Sequence, residues 1–335
     1  MDNVNVLIAI RLEEELQRQL ANVDRRVKVI NAVDLLRAKV RGTASAEEHE
    51  KLVGLFREAE VLFALMRRFP ADLLSQTPKL RWVQLVSAGI DEALEVGLLD
   101  KDITVTNARG IHTIPIAEYT LGIMLLFAKR IPLYLANKQE KQWKQLPSSE
   151  LRGKTLGIIG LGSIGQEVAR LANAFGMRIV ATRRSAVRQE LSVMGVDKVY
   201  PRRDLPEMLG ECDFVVLSVP LTEETTKMIG EEELKAMKPS SFLINVSRGE
   251  VIDEAVLIRA LKEEWIAGAG LDVFEKEPLP PESELWEIPN VIISPHISWG
   301  SEITVNRLTE LACENLKRYL TKQPLLNVVD KEKGY

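Results

Sequence analysis

The chain has 335 residues, enough for two domains, and 46% of them are hydrophobic, enough for a sizeable core. Its 44 Lys and Arg against 48 Asp and Glu leave a formal net charge of −4, which argues against nucleic acid or an anionic membrane as a partner. The apolar run 121–128, flanked by Glu118 and Lys129, is too short to span a bilayer. The start Met1-Asp2-Asn3 lacks the pattern of a signal peptide, and two cysteines, Cys212 and Cys313, give no disulfide framework. These features predict a soluble, cytoplasmic protein with no metal site.

In chain order, residues 4–10 form an apolar run expected as a buried parallel strand. Leu12, Leu16 and Leu20 then recur at helical spacing. Further strands are expected at 27–30, 61–65, 80–86 and 103–106, with a charged helix over 46–58. This alternation makes a complete small α/β unit. The segment from Asn107 to Glu118 leads into one long helix ending near Asn137, with Pro115 in its first turn. The helix is apolar on more than one face (Ile116, Leu121, Met124, Phe127, Ile131, Leu135), so it is either deeply buried or covered by a partner. Residues 138–149 are polar and read as a connection.

A glycine-rich unit follows. Residues 155–159 read as a buried strand, Gly160-Leu-Gly162 as a tight turn, and Ser163 as the opening of a helix. Gly160, Gly162 and Gly165 match G-x-G-x-x-G. Gly160 permits the turn, Gly162 lets backbone approach a pyrophosphate, and Gly165 lets helix pack on strand. Free N–H groups at the helix start, around Ser163 and Ile164, favour phosphate. The strand before and the amphipathic helix after (Val168, Leu171, Ala172, Phe175) point to dinucleotide binding rather than a plain βαβ turn. Strands expected at 178–182, 198–200, 214–218, 241–245, 268–272 and 291–294 complete a doubly wound nucleotide domain. One amphipathic helix, 302–320, is left over.

Candidate chemical groups stand just after these strands, where ligands bind in such sheets. Arg248 follows the strand 241–245 and can clamp a carboxylate in bidentate fashion, or make a surface ion pair. Asp272 ends a strand and Glu277 stands in the next loop; each alone reads more readily as a loop cap or solvated charge. Of the three histidines, His49 lies on a solvated helix, and His112 precedes the long helix as a cleft group or a cap. His296, after the last strand, is the better proton donor if a carboxylate pairs with it.

Arg248, Glu277-Pro and Ser294-Pro-His296, in this order behind Gly160–Gly165, resemble the D-isomer-specific 2-hydroxyacid dehydrogenases. Ser87-Ala-Gly-Ile-Asp91, Gly110 to Tyr119, Val219-Pro-Leu-Thr and Asn245-Val-Ser-Arg-Gly249 support the resemblance, which runs from about Leu80 to Trp299. It implies two doubly wound parallel-sheet α/β domains. One is a discontinuous, flavodoxin-like substrate domain, 1–105 plus 300–335. The other is a Rossmann dinucleotide-binding domain, 106–299. The implied reaction interconverts a small 2-keto acid, such as glyoxylate or hydroxypyruvate, and its D-2-hydroxy acid. Arg248 would bind the carboxylate, His296 would act as acid/base, and Glu277 would keep it protonated. Backbone N–H groups of Ser87, Ala88 and Gly89 would complete the anion site. Asp272, Val219, Pro220, Thr225 and Val246 would line the cofactor groove, and the helix after Pro115 would form a homodimer. Met66, Arg67, Arg68, Phe69 and Trp299 are candidates for the side-chain pocket or for ordinary loop packing. Competing readings are a phosphoglycerate dehydrogenase and a dinucleotide-sensing corepressor.

One departure concerns the cofactor. An NAD site usually ends its second strand with an acid that binds the ribose 2′-OH. Here Arg183, Arg184 and Ser185 stand at that place. Two guanidiniums and a hydroxyl would bind a 2′-phosphate, so NADP is expected to be preferred, with NAD still possible.

Overall fold

The computed structural model describes residues 3–67, 69–193 and 195–331, and the chain divides into two compact units. The first comprises Met1–His112 and Ser301–Tyr335, the second Thr113–Gly300.

The first unit is built on a parallel sheet of β1 (Val4–Ile8), β2 (Val27–Asn31), β3 (Val61–Ala64), β4 (Trp82–Leu85) and β5 (Thr104–Thr106), ordered β2-β1-β3-β4-β5. Strand alternation sends Leu7, Leu62, Ala64, Val83 and Leu85 to one face and Val6, Ile8, Val61, Phe63 and Trp82 to the other. Both faces are apolar because both are covered. Helix α1 (Glu14–Ala21) lies on the second face, while α2 (Val33–Val40), α3 (Ala46–Glu58), α4 (Ala71–Leu74) and α5 (Asp91–Glu95) cover the first. Helix α2 is unanticipated; just before it the Asn31 side chain accepts the N–H of Val33, its first residue, at 3.0 Å.

The second face also needs the end of the chain. The final helix, Thr304–Leu320, packs Ala312 and Leu316 beside Leu16 and Leu20 of α1. Its Asn315 is fully buried and donates to Gln84 Oε1 (3.0 Å) and to the Leu326 carbonyl (3.1 Å). The crossing out of this unit falls after His112 rather than at 105/106, because Ala108 and Ile111 pack on Leu308.

The second unit holds α6 (Thr113–Ala128), α7 (Ile131–Gln139) and an eight-stranded sheet. Its strands are β6 (Thr155–Ile159), β7 (Arg178–Thr182), β8 (Glu190–Val193), β9 (Val196–Tyr200), β10 (Phe214–Leu217), β11 (Phe242–Asn245), β12 (Gly268–Leu271) and β13 (Val291–Ile293). They run in the order β13-β12-β11-β10-β6-β7-β9-β8, parallel except for β8. The order steps outward from β6 in both directions, so the β6–β10 boundary is the switch point where ligands bind. Helices α6 and α8 (Ser163–Ala174) cover one face; α9 (Leu205–Glu211), α10 (Glu231–Ala236) and α11 (Glu254–Lys262) cover the other. The helix of the first unit described above, Thr304–Leu320, is α12.

The single long helix expected from Ile114 to Asn137 is two. Pro132 has no N–H, and its ring clashes with the carbonyl four residues earlier, which would be Ala128. Arg130 turns left-handed (φ 54°), α7 restarts with Pro132 in its first turn, and the axes bend by 62°. Among the described residues, no single helix is long and apolar enough to cross a membrane.

Candidate active site

At the switch point the glycines do different things. Gly160 has φ +101°, and a Cβ there would lie 2.7 Å from the Ser218 carbonyl and 2.8 Å from Val219 Cγ1. Ser218 Oγ donates to the Gly160 carbonyl at 2.7 Å, tying the ends of β6 and β10. At Gly165 a Cβ would come within 2.2 Å of the same carbonyl. Gly162 differs: a Cβ there would meet nothing within 4 Å. It also begins α8 with no side-chain cap, beside exposed Ser163 and half-buried Ile164. An open backbone surface at the start of a 12-residue helix fits a pyrophosphate. Around it, Val219 is half-buried, Pro220 exposed and Val246 buried. The Thr225 hydroxyl donates to the Pro220 carbonyl (2.7 Å) and accepts the Thr222 N–H (2.8 Å), which closes the turn at that edge.

Arg183 stands at the end of β7, with Arg184 and Ser185 exposed behind it. Its Nη2 donates to Glu190 Oε2 at 2.8 Å. The position without an acid in sequence therefore has one in space. It is delivered by β8, which pairs antiparallel with β9 at the sheet edge. No local signal marks Glu190, because only the strand pairing brings it to Arg183.

The acid–base candidates come together. Glu277 Oε2 lies 2.8 Å from His296 Nδ1, and Glu277 Oε1 accepts the Phe274 N–H at 3.3 Å. His296 is left-handed (φ 52°), an uncommon state for a non-glycine residue, and its N–H donates to the Asp272 carbonyl at 2.8 Å. Asp272 itself corrects the expectation of a cofactor contact. It is fully buried, and its carboxylate accepts from Ser294 Oγ (2.5 Å), Ile297 N (2.9 Å) and Ser298 N (3.0 Å). It holds the loop that carries His296, with no surface left for a ligand.

Arg248 follows β11 and is half-buried. Its Nη1 donates to the Ser247 carbonyl at 2.7 Å, and its own carbonyl accepts from Asn245 Nδ2 at 2.8 Å. Gly249, which had seemed only part of a motif, is a positioning residue. A Cβ there would lie 1.8 Å from the Phe274 carbonyl carbon, so only glycine lets the arginine's loop seat against the loop of Glu277. Glu254 and Glu275 lock the same loop to α11 reciprocally, each accepting the other's backbone N–H at 3.2 Å.

In the first unit, Ser87, Ala88 and Gly89 follow β4. Ser87 Oγ donates to the Gly89 carbonyl (2.8 Å), and Asn107 Nδ2 donates to the Ala88 carbonyl (2.9 Å). Met66 and Phe69 are core residues there, 1% and 5% exposed, rather than pocket lining. Arg67 pairs with Glu92 at 3.8 Å, and Arg68 lies outside the described residues. In the second unit, Trp299 Nε1 donates to the His296 carbonyl at 2.8 Å. His112 remains next to the crossing between units, at the start of α6.

Residues 121–298 match the profile described as the D-isomer specific 2-hydroxyacid dehydrogenase, NAD binding domain. The chain belongs to that family. A glyoxylate reductase of Aeropyrum pernix is 38% identical over 294 residues, covering 85% of this chain and 87% of the relative. A crystal structure of a family protein from Aeromonas salmonicida superposes with TM-score 0.83 at 32% identity, covering 98% of this chain and all of that one (100%). An NADPH-dependent glyoxylate/hydroxypyruvate reductase of Sinorhizobium meliloti, solved with NADP and sulfate, gives TM-score 0.82 at 27% identity, covering 99% and 100% of the two chains. As a family member, the protein is an oxidoreductase of 2-keto and 2-hydroxy acids that binds a nicotinamide dinucleotide.

Proposed function

We propose that this enzyme reduces a small 2-keto acid of the glyoxylate or hydroxypyruvate kind to its D-2-hydroxy acid, with NADPH preferred over NADH. The observation that carries the reading is the 2.8 Å pair of Glu277 Oε2 and His296 Nδ1, in the unit that also presents Arg248 beyond β11. With Nδ1 bound to the carboxylate, Nε2 is the nitrogen that serves the substrate. A nicotinamide dinucleotide held at the Gly160–Gly165 turn would supply the hydride that the keto carbon receives. His296 gives its Nε2 proton to the keto oxygen, turns from imidazolium to imidazole, and takes a proton back from solvent for the next turnover. The Glu277 carboxylate stabilises the imidazolium before transfer. Arg248 holds the substrate carboxylate, and its bond to the Ser247 carbonyl fixes its plane.

Arg183, Arg184 and Ser185 support the NADPH preference, as does the NADP in the Sinorhizobium relative. Exposed Ile131, Leu133, Tyr134 and Leu135 on α7, with Trp143 96% exposed beyond it, support a homodimer through this arm. The two cysteines, both unpaired, suit a reducing cytoplasm.

The test is NAD(P)H oxidation with a panel of 2-keto acids. His296→Asn is expected to abolish turnover and leave NADPH binding intact. If the wild-type protein binds NADPH and turns over no keto acid, the dinucleotide-sensor reading replaces this one. If NADH gives the higher kcat/KM, the cofactor preference is wrong.

A further inference from the structure

We infer that Tyr119 and Ser294 are positioning residues that set His296 through the buried carboxylate of Asp272. The inference rests on His296 being the proton donor. It begins with a glycine far from the histidine. Gly270 on β12 is where α6 crosses the sheet: a Cβ there would lie 2.5 Å from Ile123 Cγ2 and 3.6 Å from the Phe127 ring. Glycine lets α6 come down onto β12. One helical turn before Ile123, on the same face, stands Tyr119. Its hydroxyl lies 2.6 Å from Ser294 Oγ, which lies 2.5 Å from Asp272 Oδ1.

The directions of these bonds follow from proton counting. A carboxylate only accepts, so Ser294 spends its single proton on Asp272. Tyr119 must then donate to Ser294. Burial pushes the Tyr119 phenol up, with the Asp272 charge adding to the effect, so it stays the neutral donor this chain needs. Asp272 gathers donors from both sides of His296, namely Ser294 Oγ, Ile297 N and Ser298 N. His296 sits between them at φ 52°, a backbone state that neighbouring contacts must over-determine. The hydroxyl of Ser294 is the only donor to Asp272 among these that comes from the strand side, before the histidine. Tyr119 orients that hydroxyl from a third element. The chain ends on the fully buried Asp272 and reaches His296 through its backbone, so an effect through the histidine belongs in kcat.

The experiment compares Tyr119→Phe, Ser294→Ala, Ser294→Thr and the double variant Tyr119→Phe/Ser294→Ala with the wild type. Turnover is expressed per NADPH-binding site, counted by fluorescence titration, so that misfolded protein does not enter. Ser294→Ala is expected to lower kcat about tenfold and Tyr119→Phe about threefold, with KM for both substrates within about twofold. Ser294→Thr, which keeps the hydroxyl, should retain at least about half of kcat. The double variant should be no slower than Ser294→Ala, because removing the middle link already disconnects Tyr119. Wild-type kcat in both single variants, multiplying losses in the double, or a threonine variant as slow as the alanine one would each overturn the inference. Turnover surviving in His296→Asn would instead remove the proton-donor reading on which it stands.

Discussion

Alanine at Gly162 and alanine at Gly165 are predicted to fail differently. At Gly165 the new Cβ would meet the Gly160 carbonyl at 2.2 Å, inside the protein; at Gly162 it would meet no protein atom within 4 Å. Gly165→Ala should lose about 1–3 kcal/mol of stability by chemical denaturation. Gly162→Ala should melt like the wild type yet bind NADPH more weakly, because the methyl group stands where the pyrophosphate approaches. A Gly162→Ala variant with unchanged affinity would move the dinucleotide off this turn. Glu190→Gln tests the pair at the end of β7. Facing a neutral amide in place of the carboxylate at 2.8 Å, Arg183 should favour a 2′-phosphate more, raising the NADPH-to-NADH ratio of kcat/KM by about fivefold. No change in the ratio would mean that Arg183 does not meet the cofactor. Burial pushes the Cys212 thiol up to about 12 and raises Cys313 in the same direction. Both thiols are therefore protonated at neutral pH and reactive only above it. Intact-mass analysis after iodoacetamide at about pH 8 should find neither alkylated in folded protein. At this scale position after a strand made His296, Glu277 and Arg248 candidates, and the family resemblance rather than position singled them out; the structure brings Glu277 and His296 within 2.8 Å. Glu190 and Gly249 stayed hidden because their meaning lies in contacts that only the fold makes, with Arg183 across the sheet edge and with the backbone of Phe274.

Elements were legible where both faces of a strand are covered. Runs such as Val61–Ala64 and Phe214–Leu217 are apolar throughout, and they form the sheet centres as expected. Edges were less legible. In β8 the apolar Leu191 is 74% exposed, so hydrophobic pattern carries no strand signal there. The break between α6 and α7 had a local cause, Pro132, that outweighs an unbroken apolar pattern. The result is an arm, α7 plus the stretch carrying Trp143, that presents apolar side chains to solvent. Leu135→Glu and Trp143→Ser should shift the sedimentation coefficient from dimer to monomer while the second unit keeps its NADPH binding. A wild-type protein that sediments as a monomer would set the arm's partner aside.

At the scale of the whole molecule, two units share one chain unequally. The second is a single continuous segment with its own sheet; the first is closed only by α12, whose Ala312 and Leu316 cover Val6, Ile8, Phe63 and Trp82. A polypeptide of residues 113–300 is expected to melt cooperatively by circular dichroism and to bind NADPH without turnover. One of residues 1–112 should aggregate or show no transition; a cooperative melt would mean that α12 is dispensable. The left-over helix was plain in the sequence, but its destination came only from the family resemblance, because an amphipathic helix states that it needs an apolar surface without saying which one. That arrangement has a consequence during synthesis. Residues 1–112 leave the ribosome first, yet one face of their sheet, covered by α1 alone, stays partly open until Leu316 has been made. At ordinary elongation speeds that interval is about 10–40 s. Throughout it the nascent chain holds a partly uncovered tryptophan-bearing surface while the second unit is already folding, which makes the first unit the part in need of a chaperone.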